Sequence, residues 1–121
     1  MSIPVLICDD SALARKQVKK SLPQGWDIDV GMVTNGKEAL DYLRQNQVGV
    51  LFLDLTMPEI DGIGVLEANK AEKLVDFVVV ISADIQPEMK SKVEGLGALA
   101  FINKPVNTEK LSVILKEYGL L

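Results

Sequence analysis

Residues 50–62, Val-Leu-Phe-Leu-Asp-Leu-Thr-Met-Pro-Glu-Ile-Asp-Gly, join an unbroken apolar run to a carboxylate, Asp54, and then to two turn signals, Met57-Pro58 and Asp61-Gly62. Apolar at consecutive rather than alternate residues, the run predicts a short strand covered on both faces, as in a parallel sheet. An aspartate at its tip would stand where the sheet ends and solvent begins. The strand is expected over residues 48–53, and four similar runs lie at 5–8, 28–33, 77–81 and 99–102. Between them the apolar residues take helical spacing. Ala14, Val18 and Leu22 recur every four residues, as do Met89 and Val93, and Leu111, Ile114, Leu115 and Tyr118 follow i, i+3, i+4, i+7. Asn35 with Glu38 reads as a capping box opening the second helix, and Pro87 suits the first turn of the fourth. Five strands alternating with five helices predict an α/β, doubly wound five-stranded parallel sheet with helices on both faces.

Composition narrows the function. The chain has 121 residues, 48% hydrophobic and 25% charged, which suits one domain over residues 1–121 with no effector domain attached. A net charge of −4 without a Lys/Arg cluster argues against a nucleic-acid partner. No apolar stretch approaches the ~20 residues of a membrane span, and no signal peptide opens the chain, so membrane insertion is not expected. A single cysteine fits a reducing compartment, and a cytoplasmic location is the expectation. Histidine is absent, which removes imidazole from catalysis, metal binding and phosphoryl carriage.

In doubly wound folds the C-terminal ends of the strands form the functional edge. Here they deliver Asp9-Asp10 after the first strand, Asp54 after the third, Ser82-Ala83-Asp84 after the fourth and Asn103-Lys104-Pro105 after the fifth. Taken singly, each has an ordinary explanation. Asp10 or Ser11 could be only a helix N-cap, Asp84 a turn residue, Lys104 a solvated charge and Cys8 a small buried hydrophobe. Taken together they are harder to dismiss, because neighbouring strands bring the acids close. At an effective dielectric near 20, two like charges ~4 Å apart repel by ~4 kcal/mol. A hard divalent cation relieves that repulsion, and an oxygen-only donor set describes Mg²⁺ better than zinc. Mg²⁺ and Lys104 would balance the three aspartates, leaving a neutral site with a lysine and a hydroxyl suited to a phosphoryl group. Asp54 is then a candidate nucleophile.

These residues resemble the receiver domains of two-component response regulators, single-domain chemotaxis regulators included. The resemblance runs from Val5 to Tyr118 and rests on Asp9-Asp10, on Asp54 followed by Met57-Pro58 and Asp61-Gly62, on Ser82-Ala83, and on Lys104-Pro105. It implies the flavodoxin-like strand order 2-1-3-4-5. It also implies a phosphoprotein rather than an enzyme with an external substrate, with Asp54 as phosphoacceptor and a histidine kinase as phosphodonor. Asp9 or Asp10, Asp54 and the backbone carbonyl of Thr56 would hold Mg²⁺, with Lys104 and Ser82 on the phosphoryl oxygens. Ser82 and Phe101 would form the switch that remodels the face of the fourth helix, fifth strand and fifth helix, and Thr56 and Asp84 would flank the water that limits phosphate lifetime. Phe101 stands where many members carry tyrosine. A cis Lys104–Pro105 bond is common in the family, although sequence alone favours trans.

The expected output is binding of a downstream target protein, as in chemotaxis. A phosphorelay intermediate or phosphate sink, passing its phosphate to a phosphotransfer protein, is the alternative. A haloacid-dehalogenase-type phosphohydrolase would need a second acid two residues after Asp54, where Thr56 stands. A flavodoxin-like electron carrier would need a glycine- and hydroxyl-rich phosphate loop where Cys8-Asp9-Asp10-Ser11 stands.

Overall fold

The computed structural model describes the chain except for residues 1, 56, 58, 59, 84, 85 and 121. Five strands, β1 (Ile3–Cys8), β2 (Ile28–Val33), β3 (Val50–Leu53), β4 (Phe77–Ser82) and β5 (Ala100–Asn103), alternate with five helices. These are α1 (Ala12–Ser21), α2 (Gly36–Gln45), α3 (Gly62–Glu72), α4 (Pro87–Gly95) and α5 (Thr108–Glu117). The strands form one parallel sheet in the order β2-β1-β3-β4-β5, so strand order reverses beside β1.

The pleat sends alternate residues of each strand into two cores. Leu6, Cys8, Leu51, Leu53, Val78 and Val80 pack with Ala39, Leu40, Val65, Leu66 and Val93, under α2, α3 and α4. Val5, Ile7, Val50, Phe52, Val79 and Ile81 pack with Val18, Leu111 and Leu115, under α1 and α5. Every residue of β3 is buried, which is why it reads as an unbroken apolar run. β2 is an edge strand and carries exposed Asp29.

β3 begins two residues later than expected. The chain at Gly49 is instead tied by its N–H to the Pro4 carbonyl at 2.7 Å, and a Cβ there would lie 2.9 Å from Ile3 Cγ2. The predicted caps form, with one shift. Asn35 Oδ1 accepts from the Glu38 N–H at 2.8 Å, but Glu38 Oε1 reaches the Thr34 N–H at 2.7 Å, one residue before the N-cap. Pro87 opens α4. α3 was not legible as an amphipathic helix, and its C-terminus depends on a buried side chain. Asn69 Oδ1 accepts from the N–H groups of Leu74 and Val75 while Nδ2 donates to the Val75 carbonyl, each at 2.9 Å.

Candidate phosphoacceptor and metal site

The sheet register aligns the ends of β1 and β3, pairing Cys8 with Leu53, so the next residues on each strand, Asp9 and Asp54, leave the sheet side by side. The Asp54 N–H donates to the Cys8 carbonyl at 2.9 Å and the Asp9 N–H to the Val33 carbonyl at 3.3 Å. Both side chains are buried, Asp9 at 3% and Asp54 at 6% exposure, whereas Asp10 is exposed. One carboxylate oxygen from each of the three lies within 4.8 Å of the others. The three could supply an oxygen-only donor set to one hard cation such as Mg²⁺ if their carboxylates draw closer together. Cys8 offers no competing ligand. Burial, then the charges of Asp9 and Asp54, push its thiol up to about 12, and its sulfur sits against Met57 Sδ at 3.3 Å and the Asn35 carbonyl at 3.5 Å.

Lys104 reaches the same point from β5, its Nζ 3.0 Å from Asp9 Oδ2 and 3.3 Å from Asp54 Oδ1. Its backbone N–H bonds the Ser82 carbonyl at 2.9 Å, and the Lys104–Pro105 bond is cis. Burial by itself would lower the Lys104 pKa. The hydrogen bond to Asp9 and the charges of Asp54 and Asp9 outweigh it and hold the ammonium above the usual lysine value. Asp54 moves the other way from a well-paired carboxylate. Burial, then the neighbouring Asp9, raise its pKa, and Lys104 only partly offsets them. One lysine does not balance the charge of three carboxylates, so the cluster keeps a net negative charge.

Ser82 is buried at the end of β4, level with Asn103 on β5. Phe101 pairs with Val80 and packs on the α2–α3–α4 side, so by the pleat it lies one step back along the face that carries Ser82. Thr56, Pro58 and Asp84 lie outside the described residues. Ser11 is the N-cap of α1, its hydroxyl accepting from the Ala14 N–H at 3.2 Å, so Asp10 is left for the acid cluster. Gly62 lies where a Cβ would meet the Asp54 carbonyl oxygen at 2.5 Å, which lets α3 start against the site. Asp61, close in sequence to Asp54, is the N-cap of α3, accepting from the Gly64 N–H at 2.9 Å.

Sequence reasoning missed Arg15, whose Nη1 donates to the Asp9 carbonyl at 2.7 Å. The available signal was a long cation in the first turn of α1, where side chains lean back toward the helix start.

The response regulator receiver domain model matches residues 5–116. The chain belongs to that family. It is 38% identical over 113 residues to a protein-glutamate methylesterase/protein-glutamine glutaminase of Myxococcus xanthus, covering 90% of this chain and 32% of that protein. The receiver thus spans about a third of the length of the curated relatives it matches. Among solved structures it is similar to the response regulator domain of Thermotoga maritima CheB, with 25% identity, a TM-score of 0.83 and 98% of each chain covered. The chemotaxis protein CheY4 of Vibrio cholerae matches at 26% identity and a TM-score of 0.85, over 97% of this chain and 98% of that one. The receiver is a two-component signalling domain with relatives in chemotaxis. No helix among the described residues is long and apolar enough to cross a membrane.

Proposed function

We propose that this receiver accepts a phosphoryl group on Asp54 from the phosphohistidine of a histidine kinase, in the presence of Mg²⁺. The observation that carries this reading is the convergence of Asp9, Asp10 and Asp54 within 4.8 Å, with Lys104 on two of them. In the transfer, an Asp54 oxygen bonds to phosphorus as the P–N bond to imidazole breaks. The bonding pair stays on the imidazole nitrogen, and Asp54 becomes an acyl phosphate. Asp9, Asp10 and Asp54 would hold the cation, joined by the Thr56 backbone carbonyl that the family resemblance adds. When bound, Mg²⁺ supplies charge neutralisation at the phosphoryl oxygens. Lys104 exchanges its bond to Asp54 for one to the phosphoryl group, and Ser82 donates its hydroxyl to another oxygen.

The donor has an approach beside α1. A cleft of about 490 Å³ bordered by Leu13, Ala14, Gln17, Lys104 and Val106 opens there, with Leu13 largely exposed. α1 also carries Arg15, Lys16, Lys19 and Lys20 without an acid, suiting a donor surface that is apolar and acidic.

Two hydrogen bonds to a charged group, at about 1.5–3 kcal/mol each, are on the scale of the roughly 5.5 kcal/mol that moves a two-state element from 1:99 to 99:1. Ser82 supplies one such bond, Lys104 adds only the difference between its phosphoryl and Asp54 bonds, and Phe101 turning toward the space near Ser82 would carry the change to the α4–β5–α5 face. Phe101 already borders a second cleft, about 500 Å³, with Lys110, Val113 and Ile114. Downstream binding of a target protein at that face is proposed, and the similarity to the chemotaxis protein CheY4 supports a chemotaxis setting. Asp84, two residues beyond Ser82, is proposed to orient the water that hydrolyses the acyl phosphate.

Acetyl phosphate with Mg²⁺ should add one phosphoryl group, read by intact mass. Asp54→Asn should abolish the addition and Asp61→Asn should retain it, since Asp61 caps a helix. Undiminished labelling of the Asp54 variant would reject the assignment.

A further inference from the structure

Among the described residues that follow Asp54, Ile60 and Met57 meet the head of α2 and the end of β1. A Cβ at Gly36, the first residue of α2, would stand 1.9 Å from the Ile60 carbonyl oxygen and 2.6 Å from its carbonyl carbon. These are backbone atoms, so no rotamer change relieves the clash and only glycine permits the approach. Conformational freedom is not the reason, because Gly36 is helical. The second contact is Cys8, whose sulfur lies 3.3 Å from Met57 Sδ and 3.5 Å from the carbonyl of Asn35, the residue before Gly36. Cys8 also immediately precedes Asp9, and its carbonyl accepts the Asp54 N–H. One residue therefore touches both acid-bearing strand ends, the connection after Asp54 and the head of α2. Asn35 is itself held by its capping bond to Glu38, so the head of α2 is a firm abutment.

Resting on the receiver reading above, we infer that Cys8 and the Asn35–Gly36 corner form a positioning element for the acid site. They clamp Met57 and Ile60, and so determine how tightly Asp9, Asp10 and Asp54 bind a divalent cation. None of the three contacts the cation. They act one step further out than groups bonded to the ligands themselves, whose loss costs about 10–100-fold in metal affinity and sets the scale here. Gly36 is thereby assigned a role in ion affinity although it has no side chain.

The test is binding of Mn²⁺ alone, a carboxylate-compatible spin probe, titrated by electron paramagnetic resonance without any phosphodonor. Gly36→Ala should weaken binding by about tenfold or more, and Cys8→Ala, which only removes the clip, by a smaller factor in the same direction. Leu115→Ala serves as the stability control, because Leu115 is buried in the opposite core under α5. It should lower the Tm while leaving Mn²⁺ affinity within about twofold, below the range expected for loss of an outer-shell partner. A general loss of stability would move both variants alike. If Gly36→Ala folds and binds Mn²⁺ as the wild type does, while Asp54→Asn does not bind, the inference is overturned and the receiver reading stands. If Gly36→Ala does not fold, Cys8→Ala decides alone, and unchanged affinity overturns the inference. A wild-type chain that binds no Mn²⁺ overturns the cation site itself, and this inference with it.

Discussion

Asp54 sits at the end of a fully buried strand with its carboxyl destabilised as an anion, chiefly by burial and then by Asp9. A carboxylate whose folded pKa lies above its unfolded value stabilises the fold below the unfolded pKa. That contribution is lost as pH rises through the folded pKa, because the native state binds more protons in the window between. Above the ordinary aspartate range and without divalent cation, Asp54 therefore stabilises the fold less than a neutral group would. Asp54→Asn should raise the Tm at pH 7, and the gain should shrink to nothing as pH falls below the ordinary aspartate range. Thermal melts across pH in a chelator check this; a lower Tm at pH 7 would mean that Lys104 outweighs burial. Lys104 has the opposite sense. Its folded pKa is raised, so its contribution is complete below the usual lysine value and is lost only at higher pH, as the group deprotonates.

The elements differ in how much of themselves they advertise. α2 and α5 show clear apolar stripes, Ala39-Leu40-Leu43 and Leu111-Leu115, and their caps Asn35 and Asn107 bond as N-caps do. α3 shows apolar residues on several sides and ends on Lys73 in the left-handed region, φ 54°, with Asn69 bonding the turn that follows. Asn69→Ala should cost about 1–3 kcal/mol for each buried backbone group left without a partner. Asp61→Ala should cost about 1 kcal/mol as a lost cap. Urea unfolding at fixed slope measures both, and the Asp61 variant should still take phosphate. The burial of Asn69 was not legible in the sequence, because its partners lie beyond the helix end, where no periodicity points.

Across the whole molecule the two ends of the sheet have opposite characters. The C-terminal edge holds Asp9, Asp10, Asp54 and Lys104. The other end is closed by Trp26, which precedes β2, packs against the α1–α5 core and donates its indole N–H to the Leu120 carbonyl at 2.9 Å. Mg²⁺ should thus leave Trp26 fluorescence nearly unchanged, while unfolding should change it clearly by freeing the ring. A titration with large saturable quenching that disappears in Asp54→Asn would place the ring near the acids, against the parallel register of β1 and β2. Tyr118 joins the far parts of the fold in a similar way, its hydroxyl donating to the Leu99 carbonyl at 2.7 Å.

By itself the sequence determined the alternation of strands and helices and the chemistry of the sheet edge. Both are local signals: covered strands read as apolar runs, and whatever follows a run stands at the strand's end. That was enough to bring Asp9, Asp10, Asp54 and Lys104 into one site before any coordinate. The tertiary structure decided the pairings within it. Lys104 lies closer to Asp9 than to Asp54, Asp10 stays exposed while its neighbour is buried, and Arg15 holds the Asp9 carbonyl. It also decided that Gly36 meets Ile60 and that Cys8 meets Met57. Such contacts join residues far apart along the chain. They depend on how closely packed elements approach one another, which no local pattern of residue types encodes.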